Sequence, residues 1–263
     1  MKYLLLPLRG LYLLYALLVF LALMLLVIPF VVIASFFGKI RGGNFIQQCC
    51  VFWAGAWFFL IGIWHRDQFE SPHDTGRQYI FVANHIAYID IPIIFLSVKQ
   101  PLRVLGKAEM GKLPLFGFIY RNAAVMVDRN SPENRAKSVR TLKAVIRKGI
   151  SIFIFPEGTF NETPQPLTSF YDGAFRIAIE TQTPIKPLLF LDTFARHHYR
   201  SIFTLNPGRS RTIFLDEVPV EGLTIKDVPL LKQRVYQLME EKLRAYRADW
   251  IAAQPEPGAA IRP

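Results

Sequence analysis

Ile80-Phe81-Val82-Ala83-Asn84-His85-Ile86-Ala87-Tyr88-Ile89-Asp90 reads as a buried strand that ends in Asn84-His85, turns, and starts a helix at Asp90. A histidine at the lip of a strand, followed by a carboxylate five positions on, is a compact way to build a general base. The imidazole takes a proton near neutral pH, and the carboxylate fixes its tautomer and stabilises the imidazolium. Residues five apart on one straight helix are turned roughly 140° from each other, so the two meet only if His85 lies on the incoming loop and Asp90 at the helix N-terminus. The sequence favours that arrangement. Asp is a preferred N-cap, and Pro92 sits where a first turn tolerates proline. Taken alone the pair is a weak signal, because a capping aspartate and a polar residue leaving a strand produce the same spacing.

The chain has 263 residues, enough for one domain plus an appendage, and 52% of them are apolar. Two uncharged segments account for this, Leu11 to Phe37 and Asn44 to Trp64. The first is 27 residues long, against roughly 20 needed to span a bilayer core. Pro29 interrupts it. Between the two lies a tight basic turn, Gly38-Lys39-Ile40-Arg41-Gly42-Gly43. A membrane-inserted helical hairpin over residues 1–70 follows. Lys2 and Arg9 flank one end of the first segment and Lys39 and Arg41 the other, so positive charge gives no orientation. The adjacent Cys49 and Cys50 provide neither a disulfide framework nor metal spacing. The net charge of +11 suits an anionic membrane surface or an acidic carrier protein; no recognised nucleic-acid motif accompanies it.

From Tyr79 onward, apolar runs alternate with helical patterns. Candidate strands are Tyr79–Ala83, Leu102–Leu105, Ala123–Val127, Ile150–Phe155, Ile185–Leu191 and Arg211–Leu215; candidate helices begin at Ser131 and span Gly173–Thr181 and Asp227–Ala253. The alternation predicts an α/β catalytic domain over 71–254, with a mainly parallel central sheet flanked by helices, and a loose tail over 255–263. In such sheets ligands bind beyond the carboxyl ends of the strands. His85 follows the first strand, Gly106-Lys107-Ala108-Glu109 the second, Asp128-Arg129 the third and Phe155-Pro156-Glu157-Gly158-Thr159 the fourth. One rim would then collect a base, two cations, a carboxylate and a glycine turn. Lys107 and Arg129 suit a phosphate, lysine as a point charge and arginine as a bidentate fork, although solvated surface charges are the commoner fate of both residue types. Glu157 equally suits a helix cap or a pair with Arg129, and Gly158 equally suits plain turn chemistry.

These blocks, in this order and followed by Thr183-Pro184-Ile185-Lys186-Pro187, resemble the PlsC-like glycerolipid acyltransferase family, the 1-acylglycerol-3-phosphate acyltransferases. The resemblance runs from about Tyr79 to Leu191. It implies a membrane-associated enzyme that moves a fatty acyl group from an acyl carrier protein or coenzyme A thioester to the free hydroxyl of 1-acylglycerol 3-phosphate, giving phosphatidic acid. His85 would be the general base and Asp90 its orienting carboxylate. Arg129, Glu157, Gly158 and Thr159 would hold the glycerol phosphate, with Lys107 as a second cation. No metal or bound cofactor is expected. The implied location is the inner (cytoplasmic) membrane, with the catalytic domain facing the cytoplasm and membrane lipid as its partner. The chain has no Gly-x-Ser-x-Gly elbow and no evident thiol nucleophile, consistent with direct attack by the acceptor hydroxyl.

Two departures from the family pattern matter. Phe160-Asn161 stands where relatives often carry Arg or Ser, and Tyr171 stands where many carry lysine. With fewer cations, the acceptor is alternatively a hydroxylated acyl-amino-acid lipid, since relatives of the family acylate such lipids. Arg176 and the basic run Arg196-His197-His198-Tyr199-Arg200 are candidates to compensate. Two further readings come from other classes. One is a hydrolase that activates water with the same base; the other is a non-catalytic protein that binds anionic membranes.

Overall fold

The computed structural model describes residues 2–127, 132–199 and 201–251, with side chains left out at 2–6 and 132–137. The expected tail over 255–263 and the Asp128-Arg129 pair lie outside the described residues. In chain order the elements are helix α1 (Lys2–Ser35), a π-helical turn (Gly38–Gly42), α2 (Gly43–Leu60), strand β1 (Ile63–Phe69), β2 (Ile80–Ala83), α3 (Asp90–Ser97), β3 (Leu102–Lys107), α4 (Phe116–Ala123), β4 (Ala124–Val127), α5 (Pro132–Ile146), β5 (Ser151–Ile154), α6 (Gly173–Thr181), β6 (Ile185–Phe190), α7 (Thr193–Arg196), β7 (Gly208–Phe214) and α8 (Val228–Ala245).

Among the described residues, the seven strands form one sheet in the order β1-β7-β6-β2-β5-β3-β4. Five of them, β6, β2, β5, β3 and β4, run parallel, and β7 turns antiparallel to β6. The carboxyl ends of those five strands share one rim, as the sequence predicts. β1 pairs with β7 in parallel, Ile63 opposite Gly208, so the amino ends of β1 and β7 reach the same rim from the other direction. Ile63–Phe69, expected within the hairpin over 1–70, is an edge strand of the sheet. Charged and polar residues conceal it, and a buried polar cluster holds it. His65 Nδ1 lies 3.0 Å from Ser210 Oγ, and its Nε2 lies 3.0 Å from both Asp67 Oδ1 and Ser97 Oγ. Lys186, from the last family block, is buried at the amino end of β6, away from the rim, and burial lowers its pKa.

The two helices of the hairpin are fastened to each other, and the hairpin to the domain. Trp53 and Trp57 of α2 donate their indole N–H groups to the carbonyls of Phe20 and Ala16 of α1, at 3.1 and 2.8 Å. Tyr12 and Tyr15 donate to the carbonyls of Ile61 and Leu60 at 2.7 and 3.0 Å. Further along, Met24, Val27, Val31 and Ala34 pack with Ile119 and Ala123 of α4. Pro7 and Pro29 both lie inside the unbroken α1 helix. Two buried polar side chains complete the join. Gln47 donates to the Gln100 carbonyl at 2.8 Å and accepts from the Leu102 N–H at 2.7 Å, extending the backbone of β3 as a strand would. Arg103 donates to the carbonyls of Lys39 and Ile40 in the π turn, at 2.7 and 3.3 Å. The Gln47 contact predicts that Gln47→Leu, which strands one buried donor and one buried acceptor, destabilises the protein by about 2–4 kcal/mol. Denaturant unfolding in detergent micelles checks this; an unchanged midpoint would show that the contact contributes nothing.

Candidate active site

His85 leaves β2 at the rim, and hydrogen bonds in three directions fix it there. Asn84, fully buried, donates to the Phe190 carbonyl at 3.0 Å and accepts from the Phe190 N–H at 2.9 Å, which locks the end of β2 to the end of β6. The His85 carbonyl accepts from the Asn161 N–H at 2.7 Å, and the His85 N–H donates to Glu157 Oε1 at 2.9 Å. The ring lies flat on Phe155, centroids 3.7 Å apart with a 7° interplanar angle, and Phe160 closes edge-on at 4.5 Å.

Asp90 is 0% exposed. Its Oδ2 accepts from His85 Nδ1 at 2.8 Å, from the Ile86 N–H at 2.7 Å and from the Ala87 N–H at 2.9 Å. It is the first helical residue of α3, with Ile89 at the N-cap position, so its carboxylate turns back to the incoming loop instead of capping its own helix. This settles the geometric condition set by the five-residue spacing. The carboxylate holds the proton on Nδ1, and Nε2 is left as the basic nitrogen of the ring.

Glu157 is 2% exposed, and protein donors already engage both of its oxygens. Oε1 takes the His85 N–H, and Oε2 takes the Thr168 N–H and hydroxyl, each at 2.8 Å. The expected contact of this carboxylate with a glycerol phosphate does not suit such surroundings, since both oxygens already accept from protein donors and the group faces inward. Gly158 follows with φ +72°, donating its N–H to the Phe155 carbonyl at 3.0 Å. A residue with a side chain is strained in that conformation. Thr159 is exposed beside it. Lys107 is exposed on the same rim at the end of β3, two strands from His85. The glycine before it, Gly106, has a packing reason: a Cβ there would meet the Tyr120 hydroxyl. Thus His85, Asp90 and Glu157 are tied into one hydrogen-bonded unit, Gly158 and Thr159 adjoin it, and Arg129 lies outside the described residues.

The sequence reading assigned no part to Phe155, Phe160, Asn161 or Thr168. Phe160-Asn161, a departure from the family pattern, supplies the edge-on wall and the clamp on the His85 carbonyl. Asn161 is buried, donating to the Gln165 carbonyl at 2.8 Å and accepting from the Thr163 N–H at 2.9 Å. Tyr171 is exposed, with its N–H on the Pro156 carbonyl at 2.9 Å. His197, beyond α7, has its pKa lowered, mainly by burial and by His198, while Asp90 acts in the opposite direction. No group of histidine, cysteine and carboxylate side chains with metal-binding geometry occurs among the described residues.

Burial raises the Glu157 carboxyl to about 7, against the lowering effect of the Thr168 and His85 donors. Unfolded, the group ionises near its ordinary value of 4.5. Its contribution to stability is therefore complete below that value and is lost as pH rises through about 7. Between the two values the wild type is expected to lose on the order of 3 kcal/mol relative to Glu157→Gln, which cannot ionise. Melting curves of both proteins across that range test this; parallel pH profiles would contradict it.

Comparison with known proteins places this geometry. The sequence model of a family described as Acyltransferase matches residues 65–191, from β1 through β6. A 1-acyl-sn-glycerol-3-phosphate acyltransferase of Haemophilus influenzae is 28% identical over 196 residues, which cover 73% of this chain and 79% of that protein. One from Cocos nucifera is 32% identical over 126 residues, 47% of this chain and 41% of the relative, so the match spans less than half of that protein. The crystal structure of the 1-acyl-sn-glycerophosphate acyltransferase PlsC from Thermotoga maritima shares the fold, with a TM-score of 0.70 at 22% identity, covering 92% of this chain and 99% of that one. Over residues 65–191 the chain therefore carries the Acyltransferase sequence pattern, and it is similar to 1-acyl-sn-glycerol-3-phosphate acyltransferases over most of its length.

Proposed function

We propose that the protein transfers a fatty acyl group from an acyl carrier protein or coenzyme A thioester to the free hydroxyl of 1-acylglycerol 3-phosphate, forming phosphatidic acid. The observation that carries this reading is the buried Asp90 carboxylate 2.8 Å from His85 Nδ1, which leaves Nε2 to act as base. The acceptor hydroxyl gives its proton to Nε2 as its oxygen attacks the thioester carbonyl. The tetrahedral intermediate collapses with cleavage of the C–S bond, and the imidazolium returns the proton to the departing thiolate. No resident metal or cofactor takes part in this route. Gly158, Thr159, Lys107 and Arg129 are the residues proposed to receive the phosphate. Glu157 would act indirectly, holding the His85 backbone through its buried carboxylate.

Pro7–Ser35 is long and apolar enough to cross a membrane. Yet both halves of α1 pack against the rest of the molecule, Tyr12 at the start of the sheet and Met24–Ala34 at α4. A helix tied down in this way is suited to lie in one leaflet, holding the rim at the membrane surface. In this reading the rim faces the inner membrane from the cytoplasmic side, and the lysolipid reaches His85 without entering bulk water.

A second acceptor class is favoured by one observation. Phe160 stands against the His85 ring where relatives often place a polar or cationic residue, so a hydroxylated acyl-amino-acid lipid without a phosphate is the alternative. A product mass spectrum decides. The protein in lipid vesicles, with an acyl thioester and a mixed panel of lysolipids, is expected to yield phosphatidic acid, and His85→Ala none. A new product from a phosphate-free acceptor would move the enzyme to the alternative. Free fatty acid alone would identify a hydrolase, and an unconsumed thioester would leave only membrane binding.

A further inference from the structure

Large apolar side chains from three separate segments are exposed beside the rim. They are Tyr15 of α1, Phe59 and Leu60 at the end of α2 with Trp64 at the start of β1, and Ile202 and Phe203 in a single 3₁₀ turn, Ile202–Thr204, before β7. Trp64 is 59% exposed, Ile202 63% and Phe203 44%. The three segments are physically joined. Tyr15 Oη donates to the Leu60 carbonyl at 3.0 Å, and Phe59 meets Trp64 edge-on with centroids 5.9 Å apart. The Gly208 N–H donates to the Gly62 carbonyl at 2.9 Å, and the 3₁₀ turn itself packs on α1. Exposed apolar clusters of this kind mark surfaces that meet something other than water.

The composition identifies the occupant as a lipid surface. The patch continues the apolar outer side of α1, where Leu8, Leu11, Leu18 and Leu25 are all exposed. Tyr15 and Trp64 are the amphipathic rings that settle at headgroup level. Arg9 is exposed near the start of α1, and Arg209 stands opposite Trp64 in the β1–β7 register, its guanidinium only 3.9 Å from Asp192 at closest. Both are placed to meet anionic headgroups. The segment that carries the turn also reaches the site. Tyr199 Oη donates to the Glu162 carbonyl at 2.8 Å, just beyond the Glu157-Gly158-Thr159 turn.

We propose that the Ile202–Thr204 turn is a second membrane contact, made by the catalytic domain itself, which dips Ile202 and Phe203 into an anionic leaflet surface beside α1 and marks where the lipid acceptor enters the site. The proposal rests on the membrane-associated acyltransferase reading. Its test is separable from that reading. Phe203→Cys, in a full-length Cys49→Ala, Cys50→Ala background, is labelled with the environment-sensitive fluorophore NBD and mixed with vesicles of equal parts phosphatidylglycerol and phosphatidylcholine. Emission is expected to shift to the blue and to be quenched by nitroxide-bearing lipids. The same label at Glu221→Cys, exposed just beyond Val218, which bridges Ile185 at the amino end of β6 and so lies away from the rim, should emit as in water. Protein that floats with vesicles while the label at 203 stays water-like would overturn the proposal and leave the acyltransferase reading intact; protein that never floats would overturn both. Blue-shifted emission without lipid, growing with protein concentration, would assign the patch to a second copy of the chain and overturn the lipid contact. In kinetics, Ile202→Asp with Phe203→Asp should raise KM for a vesicle-borne acceptor about tenfold and leave turnover of a monomeric short-chain acceptor unchanged. Equal losses on both acceptors would overturn the role in acceptor entry.

Discussion

A single carboxylate oxygen, Asp90 Oδ2, organises the site. It accepts three hydrogen bonds, from the His85 ring and from the Ile86 and Ala87 N–H groups. The side-chain contact and the loop conformation are therefore set by the same atom. Asp90 is fully buried, and its other oxygen has no hydrogen-bond partner among the described residues. A carboxylate so poorly solvated leaves its charge largely unscreened at the ring 2.8 Å away, which stabilises positive charge there as it forms. Its placement depends on α3, whose far end is held by the contact of Ser97 with His65 and Thr212. The edge strand β1 thus reaches the catalytic helix through a polar cluster distinct from the site.

The sheet topology and the hairpin serve the same rim from opposite sides. Five parallel strands deliver their carboxyl ends to it, and β1 and β7, running the other way, deliver their amino ends. Because α2 leads directly into β1, the hairpin joins the domain at the edge where the chemistry lies. Gln47 and Arg103 then make the hairpin a fixed part of the catalytic unit, since each satisfies backbone groups across the junction. The hairpin and the strand end that carries His85 therefore belong to one packed unit.

Much of this was legible in the sequence because it rests on local patterns. The apolar runs at Tyr79–Ala83, Ile150–Phe155 and Ile185–Leu191 contain central strands whose side chains are all buried, and Gly173–Thr181 is a helix with those limits. The His85–Asp90 pairing was legible only as a possibility, open once Pro92 placed the helix start but sharing its spacing with a plain capping aspartate. What escaped depends on long-range contacts. β1 was hidden because His65, Arg66 and Asp67 interrupt any apolar alternation, and it is the contacts with Ser97, Ser210 and Asp67 that accommodate a half-buried histidine there. α8 stops at Ala245, short of the Ala253 expected from its apolar spacing, because Arg247 adopts φ +52°. The inward orientation of Glu157 could not be read either, since Thr168, eleven residues on, supplies the donors that hold it.

The central claim is that Asp90 acts on catalysis through His85. The most direct measurement is the single-turnover rate of acyl transfer from thioester to lysolipid in Asp90→Asn, compared with wild type, with the melting temperature recorded on the same samples. The asparagine fills nearly the same volume but cannot hold the ring through a charged acceptor. The account predicts a rate lower by ~10²–10⁴, the range for loss of general-base catalysis, in a protein that still melts cooperatively. A folded Asp90→Asn protein that transfers at a rate close to wild type would contradict it.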